Sequence, residues 1–223
     1  MSIETQLSGF LFIFVIVTNI ASNLFGYVTF SMERLDPNAE LQKISNDPVK
    51  FKISFVLIVI EHLSIIALAV MLFIAFNPYN IILGIVWVTV RTGEGTIQIF
   101  NKKNYWGLLD IAIQYSGVSG AEKDSLIDSG HSILESKNSN FLVAQILFSI
   151  GTLAYSTLFV TSGVVPAIIG WSGIVASIIY GFGCGIQVVK SDVRPHFKVL
   201  SAFGGLFILL FELALGGWLL FFS

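Results

Sequence analysis

The sequence predicts an all-α membrane protein, a single bundle of six transmembrane helices over residues 1–223 with both termini outside. Three observations predict it. The 223 residues are 55% hydrophobic and 12% charged, with a mean hydropathy of +0.84, more apolar surface than a soluble chain of this length can hide. The apolar residues gather into six runs, each near the roughly 20 residues that cross a hydrocarbon core. Every Lys and Arg except Arg91 lies in the first, third or fifth connection, while the second (Asn77 to Asn80), the fourth (Thr161 to Val165) and both ends carry none. Positive charge is retained on the cytoplasmic face, so the odd connections face inward and the expected location is the cytoplasmic (plasma) membrane.

The elements follow in order, with spans expected at roughly 8–30, 53–76, 81–100, 140–160, 166–189 and 200–222. The MSIETQL that precedes the first run has no basic stretch, so that run is expected to stay attached and not be cleaved as a signal peptide. The connection 31–52 mixes four basic with four acidic residues and reads as a solvated hairpin cap. Asn77-Pro78-Tyr79-Asn80 is a tight turn between antiparallel neighbours, as is Thr161 to Pro166. Within the connection 101–139, residues 105–116 stay apolar and either prolong the third helix or lie along the interface. Leu126, Ile127, Ile133 and Leu134 then share one face of an amphipathic segment, 121–138, that leads into the fourth helix. The last inward connection is 190–199. Tyr79, Trp171 and Trp218 fall at the outer surface and Tyr105 and Trp106 at the inner one, as interfacial anchors do.

Each span carries one polar or small-residue face, which in lipid turns toward other helices. Arg91, Glu94, Gln98 and Asn101 recur at steps of three and four and form a stripe on the third helix. Glu61 lies on the second helix, with His62 a quarter turn away, and Glu212 on the sixth. Depth along each span places Glu61, Arg91, Glu94 and Glu212 near the bilayer midplane, where each unpaired charge costs about 2.5–3.5 kcal/mol. Three carboxylates then face one permanent cation, an imbalance that points to a protonated carboxyl, a charged His62 or a bound cation. These five residues are the candidate ligand or proton site, with Asn19, Gln98, Gln145, Tyr180 and Gln187 as polar lining. A structural reading stands beside it, in which Arg91 and Glu94 are an ion pair that fixes helix register.

Other chemistry is excluded or unsupported. The single cysteine, Cys184, rules out an intrachain disulfide and a cysteine-built metal site. His131 and His196 fall in inward connections, away from His62, so no metal or haem site is expected in the membrane. No catalytic triad, phosphate loop, dinucleotide fingerprint or nucleic-acid patch is present, and no cofactor is expected.

Several stretches resemble one family of bacterial and archaeal multi-pass membrane proteins, domain of unknown function 4386. They are R-x-x-E at Arg91 and Glu94, V-P-A-I-I-G-W-S-G-I-V-A from Val165 to Ala176, and F-E-L-A-L-G-G-W-L-L from Phe211 to Leu220. The resemblance spans nearly the whole chain and implies a multi-pass membrane fold. It also implies an acidic or histidine-bearing second helix, which Glu61 and His62 supply, and a histidine near the start of the fourth. There the chain reads Ser139-Asn140-Phe141, so no role can be carried over for that histidine.

The leading functional expectation is a module that binds or translocates a small molecule, proton or cation at the midplane pocket. Two others remain open: an intramembrane enzyme using a glutamate on a lipid-like substrate, and a structural subunit of a larger membrane complex. The expected partners are the lipid bilayer and a small-molecule or cation ligand, with no nucleic acid.

Overall fold

The computed structural model describes residues 2–25, 35–189 and 194–222. The expected end of the first span at residue 30, the start of the first connection, and residues 190–193 of the last lie outside the described residues. The described chain holds seven helices and no strand: α1 (Ile3–Leu24), α2 (Pro37–Asn46), α3 (Pro48–Phe76), α4 (Ile81–Tyr115), α5 (Ala121–Ser162), α6 (Ala167–Val189) and α7 (Arg194–Phe221). Short polar side chains start several of them. Ser2, Asp36, Asp47 and Asn80 each accept a hydrogen bond from a backbone N–H of the first turn, and proline follows directly at Pro37 and Pro48. At the other end of α5, Gly163 adopts φ 70°, a left-handed conformation that a side chain would strain, and this turns the chain back toward α6.

Six helices close into a ring. Neighbours pack in the order α1, α3, α4, α5, α6, α7 and back to α1, while α2 sits on one end against α4 and α5. Five of the six, α1, α3, α5, α6 and Val199–Phe221 of α7, are long and apolar enough to cross a membrane. The chain is thus an all-α, multi-pass membrane protein. The remaining ring helix, α4, falls short of that apolarity because Arg91, Glu94 and Gln98 interrupt its apolar half.

Two larger cores hold the ring, one at each end, with a smaller cluster of Ala176, Tyr180, Cys184 and Ile208 between α6 and α7. At the termini end, Phe12, Leu72, Trp87, Tyr155, Phe159, Phe211 and Leu215 form an apolar cluster. Trp87 packs edge-on to Tyr155 at 4.5 Å between centroids, and its indole N–H donates to the Ala69 carbonyl at 2.8 Å. Here α1 and α7 touch backbone to backbone. A Cβ on Gly9 would lie 2.5 Å from the Leu220 nitrogen, an approach that only glycine permits.

The opposite end departs in part from the sequence expectation. Of the first connection, read as a solvated cap, residues 37–46 form a helix with a buried face, whereas 101–139 is helical, as the apolar 105–116 and the amphipathic 121–138 predict. The helix α4 continues unbroken to Tyr115, and α5, 42 residues long, starts at Ala121. At 1.5 Å per residue α5 measures about 63 Å, twice a hydrocarbon core, so the two helices project beyond the apolar band as a hairpin. The amphipathic α2 packs on it. Leu41 and Ile44 are fully buried among Tyr105, Leu108, Leu109, Ala112 and Leu134. Tyr105, expected at the membrane interface, belongs to this cap core: its hydroxyl donates to Glu40 Oε1 at 2.9 Å. Between the two cores lies the polar middle of the ring.

Candidate functional site

A cavity of about 500 Å³ occupies that middle, and all six ring helices contribute to its walls. The polar stripes converge there because each helix turns its least lipid-soluble face inward. Along α4 the cavity face carries Arg91, Glu94, Gln98 and Lys102, at steps of three, four and four. Asn19 comes from α1, Glu61 and His62 from α3, Gln145 from α5, Tyr180 from α6 and Glu212 from α7. Arg91 to Lys102 covers about 16 Å along the helix axis, so the cavity runs from the middle of the ring toward the cap.

At the termini end of the cavity, Arg91 Nη1 lies 2.5 Å from Glu94 Oε2, with both side chains almost wholly buried. The guanidinium also faces the rings of Phe148 at 4.5 Å and Trp87 at 5.4 Å. Across the cavity, Asn19 Nδ2 donates to Glu61 Oε1 at 2.8 Å, and Asn23 in turn donates to Asn19 Oδ1 at 3.1 Å. The His62 Nδ1–H donates to the Ile58 carbonyl at 2.6 Å, which assigns the proton to that nitrogen, since a carbonyl only accepts. Tyr180 donates to Gln145 Oε1 at 2.8 Å. Three buried atoms of the lining have no hydrogen-bond partner among the described residues: Glu61 Oε2, Gln98 Oε1 and Arg91 Nε. Native interiors rarely leave such atoms unpaired, so each is a place where something else can bind.

The cap end adds charges that the sequence reading placed in solvent. Lys102 is 4% exposed and lines the cavity just past the apolar stretch of α4. Burial pulls its pKa down to about 7, and the like charge of Lys137 adds to the effect. Burial likewise brings Lys137 down to about 8, opposed by Glu40 and reinforced by Lys43. The Lys137 ammonium sits 4.6 Å from the centre of the Tyr105 ring and has no hydrogen-bond partner among the described residues. Asn101 leaves the α4 stripe and donates to the Lys137 carbonyl at 3.0 Å.

Nine of the ten expected site residues therefore line one cavity: Glu61, His62, Arg91, Glu94, Glu212, Asn19, Gln98, Gln145 and Tyr180. Gln187 does not. Its amide donates to Ser201 Oγ at 2.7 Å and to the Gly183 carbonyl at 2.9 Å, which ties α6 to α7. The charge count changes as well, with three carboxylates facing Arg91 and Lys102 rather than Arg91 alone. Lys102 was legible as the next step of the stripe, but a neighbouring Lys103 makes the pair read as the solvated end of a span. Among the described residues, no three His, Cys, Asp or Glu side chains converge closely enough to hold a metal ion.

The family model described as domain of unknown function (DUF4386) matches residues 7–222. No curated protein and no solved structure matches the chain.

Proposed function

Since the chain belongs to the DUF4386 family, we propose that it is a membrane binding module whose central cavity accepts a small cationic molecule, a cation or protons. In this reading α4 is the sixth span. It is carried across by its neighbours α3 and α5, which shield Arg91 and Glu94 from lipid. The lysines and arginines of the odd connections support a cap in the cytoplasm and both termini outside, in the cytoplasmic membrane.

One observation carries the reading. Three carboxylates from three different helices, Glu61, Glu94 and Glu212, line one cavity, and only Glu94 is ion-paired among the described residues. A scaffold needs no more than the Arg91–Glu94 pair. The surplus acid is a standing cost unless something positive enters, because buried like charges disfavour one another. A protonated carboxyl that releases its proton as a cation arrives would make binding proton-linked.

The test is a thermal-shift titration of the protein in lipid nanodiscs. The cations are sodium and alkylammonium ions from methyl to dodecyl; the anions are acetate and dodecanoate. At 100 times Kd a ligand stabilises by about 2.7 kcal/mol, a rise of roughly 5–11 °C for a chain of this size. The expected result is a saturable rise with at least one cation that Glu212→Gln abolishes. A rise with the anions alone, or with no cation at all, overturns the proposal.

A further inference from the structure

Among the described residues, nothing seals the cavity from the lipid side of the ring. The outward stripe of α1 is Ile3, Leu7, Phe10, Val17, Ile20 and Leu24, all exposed at helical spacing. That of α7 is Val199, Phe203, Leu206, Leu210 and Leu213. Ile20 and Leu206 belong to these outward stripes and also line the cavity. A residue can do both only where the cavity reaches the surface, so it opens along the seam between α1 and α7. The seam is closed at the termini end, where Gly9 brings α1 against Leu220, and where a Cβ on Gly216 would lie 2.9 Å from the Phe12 Cβ. The two helices therefore part along the stretch that holds Asn19 and Ile20 on one side and Gly205 and Leu206 on the other.

We infer that the occupant is a single-tailed amphiphile with a hydrogen-bond-donating cationic head, entering sideways from the bilayer through the α1–α7 seam; the inference rests on the cation-accepting reading of the cavity. The wall near the opening is apolar on both sides, with Val15, Ile16 and Ile20 facing Leu206, Ile208 and Leu209. A bare ion gains nothing from such walls, whereas an alkyl chain does. The interior offers acceptors. Glu61 Oε2 and Gln98 Oε1 are unpartnered on residues that are 5% and 2% exposed. Glu212 adds a carboxylate from the α7 wall. An ammonium head brings three donors and one positive charge to that set. Arg91 does not compete for it, because its guanidinium is turned to Glu94 and to the faces of Trp87 and Phe148. Lys102 stands at the cap end, where burial leaves it only partly charged at neutral pH. The volume, about 500 Å³, falls inside the roughly 300–1,000 Å³ of small-molecule sites.

The probes are dodecylammonium, methylammonium and dodecanoate, each titrated into protein-loaded nanodiscs with empty nanodiscs subtracted. Dodecylammonium is expected to bind saturably, at least about tenfold tighter than either other probe, and to lose at least about tenfold in Glu61→Gln. Leu206→Trp and Ile20→Trp, which fill the seam from opposite walls, are expected to slow its association about tenfold while leaving methylammonium affinity within about twofold. That retained affinity shows that the head site is intact in the variants. If methylammonium binds as tightly as dodecylammonium, or association is unchanged in both tryptophan variants, the amphiphile inference fails and the cation pocket stands. If dodecanoate binds best, or none of the probes binds, both fail.

Discussion

Replacing Arg91 with methionine removes the guanidinium at the termini end of the cavity and leaves its surroundings packed. The Arg91 side chain is 2% exposed, and its Cγ and Cδ lie against Gly151, where a Cβ would approach within 2.8 and 2.7 Å. Methionine keeps most of that contact, so the loss is electrostatic. Breaking a buried pair by deleting one partner costs about 3–5 kcal/mol. The two ring contacts add about 0.5–2 kcal/mol each when desolvated. A total of about 4–9 kcal/mol corresponds to a drop of roughly 8–36 °C in Tm for a chain of this length. The double variant Arg91→Met/Glu94→Met removes both charges together and is expected to recover most of the loss, since an apolar pair often replaces a buried ion pair at no cost. The assay is a double-mutant cycle on Tm in nanodiscs, with Glu94→Met as the second single variant. If Arg91→Met lowers Tm by less than about 3 °C, equivalent to roughly 1 kcal/mol, the guanidinium is solvated in a wet cavity and the reasoning from burial is wrong.

Three further outcomes are expected. Leu41→Ala empties a fully buried site under the cap and should cost about 2–5 kcal/mol, seen as lower Tm and faster hydrogen exchange in α2. Gly9→Leu drives a side chain into the Leu220 backbone, which cannot give way; a loss at or above the usual 1–3 kcal/mol of overpacking, about that range or more, should appear in Tm. Lys137 supplies a pH dependence. Its folded pKa, about 8, lies below the unfolded value of 10.5, so the unfolded chain holds more protons between them and stability rises with pH across that window. Below about 8 the full burial penalty applies, and above 10.5 it is gone. Subtracting the Tm profile of Lys137→Met from that of wild type should isolate this rise; a flat difference contradicts it.

The residues that share the cavity were legible because burial in lipid forces a simple code. Polar groups in a span must face other helices, so the three-four spacing of Arg91, Glu94 and Gln98 already fixed one wall of the cavity. Glu61, Glu212 and Asn19 followed from the same spacing on their own helices. The cap was legible in part: 105–116 and 121–138 read as helical, but the burial of its charges did not, because charged residues near a span end read as solvated. Glu40, Lys102 and Lys137 are charged and yet buried, which follows from the packing of α2 onto the hairpin and not from local pattern. The apolar pair Leu41 and Ile44, three residues apart, was the available sign that this connection has an inside face. Gln187 misled for the opposite reason: its spacing fits the lining of α6, but Ser201 of α7 takes its amide.

The central claim is that the cavity holds more acid than its scaffold requires, and Glu212 is where that can be measured. Its carboxylate is buried, lines the cavity and makes no salt bridge among the described residues. The measurement is the Tm of wild type and Glu212→Gln in nanodiscs without added ligand. The account predicts a variant as stable as wild type or more so, since a residue kept for binding is held at a cost to stability. A variant that melts roughly 6–20 °C lower, the signature of a broken buried network of about 3–5 kcal/mol, would make Glu212 part of the scaffold and contradict the account.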